Sequence, residues 1–123
     1  MLANVLADAG KRVTLVERRE NRRWSDSRCT SVQARVVEIF DALGLLDVLD
    51  PELHRVDGLV FYDRHAGQNQ VLLDITAERV RLDCAHPHAM SVPQWRTEEA
   101  LTERLTAKPT ATLLRGWSFG SLT

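Results

Sequence analysis

Hydrophobic and polar positions near the start of the chain change period within the first 20 residues. Apolar side chains recur every three or four positions between Leu2 and Ala9, which predicts an amphipathic helix. Gly10 follows where helices commonly end with a left-handed residue. Val13–Glu17 is then an apolar, β-branched run that ends in a carboxylate, and it predicts a strand. The predicted order is therefore helix, glycine, strand, acid.

Two later segments have the apolar spacing of helices. An apolar stripe from Val32 to Leu43 is followed by Gly44, and Thr30 and Gln33 have the spacing of a capping box at its start. The segment from Gln94 to Leu105 is preceded by Ser91, which has the same spacing to Gln94, and is followed by Pro109. Both segments are predicted to be helices with side-chain caps.

Strand patterns lie between and after these helices. Leu59–Tyr62 and Val71–Ile75 predict a hairpin with a long polar connection from Asp63 to Asn69, and Ala111–Leu114 predicts another strand. A weaker strand signal runs from Ser118 to Leu122. The predicted fold class is α/β with an inserted β-hairpin.

Composition excludes several classes of protein. The 123 residues are 44% hydrophobic and 27% charged, with a net charge of -1, which disfavours a dedicated nucleic-acid or membrane-surface protein. No apolar run has membrane length, and only Cys29 and Cys84 are present, so a reduced, cytoplasmic protein is expected. Residues 11–28 carry seven basic and three acidic side chains, which is typical either of a phosphate-binding patch or of a solvated arginine-rich loop.

Metal binding is not expected. Cys84, His86 and His88 carry the side chains that bind zinc, but Pro87 interrupts the alternation and no convincing fourth ligand accompanies them. The segment is predicted to be a loop.

Glu17 is the candidate that points to a ligand. A carboxylate at the carboxyl end of the second strand of a dinucleotide-binding βαβ unit accepts hydrogen bonds from a ribose. The alternative is a buried strand with a solvated acidic end. Such a unit begins with a strand and a Gly-x-Gly-x-x-Gly turn ahead of its first helix, and the 123 residues begin at the helix without them. The expectation is therefore a fragment of a longer dinucleotide-binding domain.

Three blocks together resemble a known family. They are Val13-Thr-Leu-Val-Glu-Arg-Arg19, Ser27-Arg-Cys-Thr-Ser-Val-Gln-Ala-Arg35 with its continuation to Gly44, and Val92-Pro-Gln-Trp-Arg-Thr-Glu-Glu-Ala-Leu101. In this order and at these separations they are similar to flavin-dependent aromatic monooxygenases of the para-hydroxybenzoate hydroxylase type, in the branch of phenol, phenylpropionate and polyketide hydroxylases. The resemblance covers nearly all of this chain but only the first quarter to third of a typical member.

The resemblance implies FAD as the cofactor and assigns residues to it. Glu17 matches the acid that binds the adenosine ribose, Arg28 an arginine along the cofactor, and Gln94 a glutamine that contacts its ribityl and pyrophosphate region. Arg18 is a candidate for the adenine side, with a solvated surface position as its alternative. Gln33 is a candidate near the flavin, with the capping box as its alternative.

The resemblance also implies an incomplete, glutathione-reductase-type FAD-binding Rossmann-like domain. Residues 1–56 and 89–123 would form its nucleotide-binding part, and residues 57–88 would begin the substrate-side sheet. Full-length members use NAD(P)H and dioxygen to hydroxylate a small aromatic substrate, and no catalytic residue is expected in this segment. The alternatives are a non-catalytic nucleotide-binding or complementing module, and another FAD-dependent oxidoreductase.

Overall fold

A computed structural model describes residues 1–21, 31–65, 68–76 and 83–121. The chain divides into two compact units, the first made of Met1–Arg28 with Pro93–Thr123 and the second of Cys29–Val92.

The first unit is built on one parallel strand pair. Strand β1 (Val13–Glu17) pairs in parallel with β7 (Ala111–Arg115), in a register that sets Val13 beside Ala111 and Glu17 beside Arg115. Helix α1 (Leu2–Asp8) packs against β1, and α4 (Gln94–Thr106) packs against β7 and α1. Because parallel strands need a crossover, the chain between them must return to the same end of the sheet. Among the described residues, β7 is the one strand paired with β1.

The apolar stripe of α1 is exposed, contrary to what its spacing suggests. Leu2, Val5 and Leu6 are 72%, 48% and 39% exposed, whereas Asn4 and Ala7 are buried. Gly10 has a φ of +72°, which confirms the predicted left-handed end of the segment. The spacing of apolar residues identifies an apolar face of a helix, but it does not show which element packs against that face. In α1 the buried face is instead the one that carries Asn4 and Ala7.

A polar seam joins α1 to α4. The buried amide of Asn4 donates to the carbonyl of Leu101 at 3.0 Å, and its oxygen accepts from Arg104 Nη1 at 3.2 Å. Asp8 forms ion pairs with Arg104 at 2.8 Å and with Lys108 at 2.6 Å. Hydrogen bonds to both cations hold the pKa of the Asp8 carboxyl below its ordinary value of 3.8. The hydrogen bonds and ion pairs of this seam are directional, so they define the relative orientation of α1 and α4.

The second unit contains helix α2 (Ala34–Ala42), helix α3 (Leu46–Leu49) and a 3₁₀ turn (Asp50–Glu52). A three-stranded antiparallel sheet has the order β2 (Ser31–Val32), β6 (Ala89–Ser91), β3 (His54–Val56). Its apolar core lies where α2 meets α3 and β6. The fully or nearly fully buried side chains there are those of Val37, Phe40, Leu43, Leu45 and Leu49.

Both predicted capping boxes are wrong. Helix α2 has Gln33 itself as its N-cap and α4 has Pro93, and neither cap residue makes a side-chain hydrogen bond to the helix. The helix bounds are nevertheless close to the prediction, and Gly44 ends the α2 segment with a φ of +65°. The first turn of α2 is organised by backbone, since Gln33 O accepts from the amides of Val36 and Val37.

The hairpin of the second unit is longer than predicted. Strands β4 (Gly58–His65) and β5 (Gln68–Thr76) pair through most of the segment predicted to be their polar connection, with Asp63 beside Gln70. Polar residues fit because backbone hydrogen bonds make the ladder, and an exposed strand position requires no apolar side chain. On one face Leu59 lies beside Ile75 and Phe61 beside Leu73, and all four side chains are at least 40% exposed. No described residue from Ser118 to Ser121 forms a strand, so the weak signal there is not confirmed.

Replacement of the buried amide tests the polar seam. Asn4→Ala should lower the free energy of unfolding of the 123-residue chain by about 1–3 kcal/mol, because it leaves the Arg104 guanidinium one acceptor short in a partly buried place. Urea unfolding followed by circular dichroism measures the change. Asn69→Ala, at an exposed strand position, is the matched control. Equal losses in the two variants would contradict the role given to Asn4.

Acidification tests the ion pairs of the same seam. The pKa of Asp8 is lowered by folding, so its contribution is present above the ordinary value of 3.8 and is lost as pH falls below it. Melting temperatures from about pH 6 to about pH 2 should show wild type above Asp8→Asn at the upper end, with the gap closing in acid. Asp83→Asn, at an exposed position outside the seam, is the matched control. A gap for Asp8→Asn that is independent of pH would contradict this account.

Candidate functional site

Glu17 lies at the carboxyl end of β1, the end of an open parallel sheet where ligands bind. Its Oε1 accepts from the backbone amide of Arg19 at 2.9 Å and from Arg19 Nε at 3.3 Å. These bonds, the backbone one first, hold the pKa of Glu17 below its ordinary value of 4.5, and the charge of Arg115 adds to the effect. The carboxylate is therefore ionised, and its hydrogen bonds to Arg19 fix its orientation. Among the described residues, no hydrogen-bond donor contacts its other oxygen, Oε2.

A cavity of about 250 Å³ opens beside this carboxylate, within the first unit. Its walls are apolar, and they comprise Met1, Leu15, Val16, Leu101 and Leu113. Its polar groups come from the strand ends, from the segment after β1 and from α4, and they are Glu17, Arg19, Asn21, Glu98, Thr102 and Arg115. An apolar pocket with a few convergent polar groups is typical of a small-molecule or cofactor site.

Gln94 is linked to this cavity through one intermediate residue. Its Nε2 donates to Glu98 Oε1 at 2.7 Å, across one turn at the start of α4, and Glu98 lines the cavity. The hydrogen bond fixes the direction of the Gln94 amide. Glu17 and the Gln94–Glu98 pair thus belong to the same unit and to the same side of it.

The remaining predicted cofactor residues are not gathered here. Arg18 is exposed and lies outside the cavity lining. Gln33 is exposed at the start of α2, in the second unit, and makes no side-chain capping bond. Arg28 lies outside the described residues. The roles of these three residues stay predictions.

Two cavity residues were missed by sequence reasoning. Arg115 is the last residue of β7, one position beyond the predicted strand Ala111–Leu114, and stands beside Glu17 in the strand register. Glu98 lies in the early turns of α4, and the sequence pattern assigns it no contact with a ligand. The signal for Arg115 was available in principle, because the ends of parallel strands meet at one edge of a sheet.

The second unit contains a polar cluster between α2 and the segment after position 82. A ring nitrogen of His86 lies 2.8 Å from Asp41 Oδ2, and Glu38 Oε1 accepts from the amide of Ala85 at 3.3 Å. The Arg35 guanidinium lowers the pKa of Glu38. Within the described ranges, no group of His, Cys, Asp and Glu side chains has an arrangement able to hold a metal ion. The contacts of His86 and Ala85 attach this segment to α2.

The donor set of the first unit fits a dinucleotide. Glu17 offers an acceptor oxygen for ribose hydroxyls, the cavity offers apolar walls for a base, and guanidinium groups stand at its polar side. In the part of the chain that the structure describes, no helix is both long and apolar enough to cross a bilayer.

Comparison with known proteins agrees with this geometry. The family described as FAD binding domain matches residues 1–123, the whole chain. The chain therefore belongs to the FAD binding domain family, which confirms FAD as the cofactor that the resemblance of the three blocks implies.

The relatives are bacterial monooxygenases. A 12-dehydrotetracycline 5-monooxygenase/anhydrotetracycline 6-monooxygenase from Streptomyces rimosus subsp. rimosus is 36% identical over 104 residues, which are 85% of this chain and 19% of that protein. The solved structure of the anhydrotetracycline hydroxylase from Streptomyces rimosus has a TM-score of 0.72 and 33% identity, covering 94% of this chain and 21% of its own. The chain spans about a fifth of the length of these relatives.

A more distant structure shares the fold. The p-nitrophenol 4-monooxygenase from Pseudomonas putida has a TM-score of 0.73 at 19% identity, and the match covers 93% of this chain and 28% of that one. Together with the family match, this confirms the predicted fold class, a partial FAD-binding α/β domain with an inserted hairpin.

Titration of Glu17 tests the local geometry. By carbon-detected NMR its carboxyl should titrate below the ordinary value of 4.5. Arg19→Ala should raise that pKa only in part, because the backbone amide of residue 19 remains as the larger cause. Arg12→Ala, at an exposed position before β1, should leave it unchanged. An ordinary pKa in wild type would contradict the hydrogen bonds described here.

Proposed function

We propose that this chain is the FAD-binding part of a flavin-dependent monooxygenase that hydroxylates an aromatic substrate with NAD(P)H and dioxygen. The observation that carries the proposal is the carboxylate of Glu17, held ionised at the carboxyl edge of a parallel strand pair beside a cavity of about 250 Å³. Support comes from the relatives that are 33–36% identical, which are named as an anhydrotetracycline monooxygenase and an anhydrotetracycline hydroxylase.

Each proposed cofactor residue has a distinct task. Glu17 accepts the ribose hydroxyls through Oε2, while Arg19 keeps Oε1 occupied and the side chain oriented. Gln94 presents an amide that Glu98 has already oriented, which reduces the entropy lost when a ligand binds. Arg28 supplies a guanidinium suited to phosphate oxygens, and Arg18 and Gln33 contact the cofactor at its adenine and flavin ends.

Bound FAD supplies the redox chemistry, taking electrons from NAD(P)H and activating dioxygen. The residues of this chain bind and orient it, and none of them acts as an acid, base or nucleophile. The face of Leu59, Phe61, Leu73 and Ile75 begins the sheet on the substrate side, where apolar side chains suit an aromatic ring. The substrate is in this proposal a small aromatic or polyketide-derived molecule.

Cofactor binding tests the proposal directly. The 123-residue chain should bind FAD, measured by quenching of flavin fluorescence, and Glu17→Ala should weaken the binding at least about tenfold because two ribose hydroxyls lose a charged acceptor. Glu103→Ala, an exposed glutamate on α4, is the matched control and should bind as wild type does. No FAD binding by wild type, or equal binding by both variants, would overturn the proposal.

Catalysis is expected to be absent from the chain by itself. With FAD and NAD(P)H present, the 123-residue chain should neither consume NAD(P)H faster than free FAD does nor hydroxylate phenolic substrates. This expectation rests on the share of the relatives' length that the chain spans, about a fifth. NAD(P)H consumption is measured by absorbance, and hydroxylated products are measured by chromatography. Hydroxylation by the chain alone would contradict the proposal that it only binds and orients FAD.

A further inference from the structure

Arg115 is a half-buried cation whose side chain forms no hydrogen bond or ion pair with the described residues, although its charge acts on the neighbouring Glu17. It is the last residue of β7 and lines the cavity beside Glu17. A guanidinium carries five donors and loses solvation when it is partly buried, so an arginine in such a place is typically matched by a carboxylate, a phosphate or an aromatic plane. Within residues 1–21, 31–65, 68–76 and 83–121 none of these is bonded to it.

The position of Arg115 is coupled to that of Glu17. The two residues are partners in the parallel register of β1 and β7. The chain then turns at Gly116, with a φ of +75°, and the amide of Trp117 donates to the carbonyl of Glu17 at 3.3 Å. A Cβ at position 116 would lie 3.1 Å from Glu20 Cγ, so the turn is also closely packed. A ligand held by Glu17 therefore meets Arg115 at a fixed place.

The composition of the cavity favours a base over a phosphate as the partner of Arg115. Leu15, Leu101 and Leu113 form its apolar wall, and Glu98 adds a second carboxylate to that of Glu17. The lining also holds the guanidiniums of Arg19 and Arg115, so its two carboxylates and two cations balance and give no net attraction for a phosphate. An uncharged heteroaromatic ring would meet the apolar walls and the face of a guanidinium without placing a further negative charge beside the carboxylates. Arginine stacks on aromatic rings through its planar, weakly hydrated group.

We propose that Arg115 recognises the adenine ring of the dinucleotide whose ribose Glu17 binds, through the plane of its guanidinium. This inference rests on the proposed function, because it assumes that the cavity receives the adenosine end of FAD. It adds a specificity-determining residue from β7 to a site that sequence reasoning assigned to β1 and α4.

A ligand series separates adenine recognition from phosphate recognition. Adenosine, AMP, ADP and FAD are titrated into the 123-residue chain by isothermal calorimetry, for wild type, Arg115→Ala and Arg115→Lys. Arg115→Ala should weaken the binding of all four ligands by a similar factor of about 3 to 10. This is the affinity expected from a single cation–π contact at a partly buried site. Arg115→Lys should recover only part of the loss, since an ammonium is not planar. Arg12→Ala is the matched control, and thermal melts check that each variant is folded.

The possible results distinguish failure of this inference from failure of the proposed function. A loss that is absent for adenosine and grows toward ADP assigns Arg115 to phosphate and overturns the inference, and an unchanged affinity for every ligand overturns it as well. Flavin mononucleotide lacks adenosine, so any weakening of its binding in Arg115→Ala also counts against it. If wild type binds none of the adenosine ligands nor FAD, the proposed function itself fails and the inference falls with it. If Arg115→Ala does not give the expected loss of affinity, but wild type binds FAD and Glu17→Ala does not, only the inference about Arg115 fails. The proposed function is then retained.

Discussion

The parallel pairing of β1 with β7 is the constraint on which the site depends. Nearly a hundred residues separate these strands, yet their register sets Glu17 beside Arg115 at the carboxyl edge of the sheet. Side chains from both strands then form one cavity with α4. A shift by one residue would turn Glu17 or Arg115 to the opposite face, because side chains alternate along a strand. The carboxylate and guanidinium therefore depend on the same backbone ladder that builds the unit.

The helices that cover this strand pair meet through polar contacts. Asn4 is the buried polar side chain among the described residues, and Asp8 binds two cations of the α4 segment. Such contacts are directional, so they define a single arrangement of two helices more sharply than apolar contacts of the same area would. Since Glu98 and Gln94 lie at the other end of α4, the seam also sets where these side chains stand relative to β1.

The unit leaves apolar surface exposed in two places. Leu2 and Val5 lie on α1, and Leu15 and Val16 lie on a strand with one described neighbour. The chain spans about a fifth of the length of these relatives, and the apolar face of a helix or sheet is normally buried against a second layer. Exposed strand edges promote association between chains, so dilute samples suit the binding measurements.

Sequence by itself determined the elements with strong local signals, namely Gly10 and Gly44 as helix ends, the helix from Gln94, and β1 with its terminal acid. These follow from short-range physics: glycine adopts positive φ without cost, and apolar period distinguishes helix from strand. The order of the blocks also determined the family and its FAD cofactor. Only the tertiary structure decided the rest. It buried the Asn4 face of α1 instead of the apolar stripe, extended the hairpin through polar residues, gave both helices backbone caps, and brought Arg115 beside Glu17. Each of these depends on partners distant in sequence, and no local pattern encodes the register of two strands 98 positions apart.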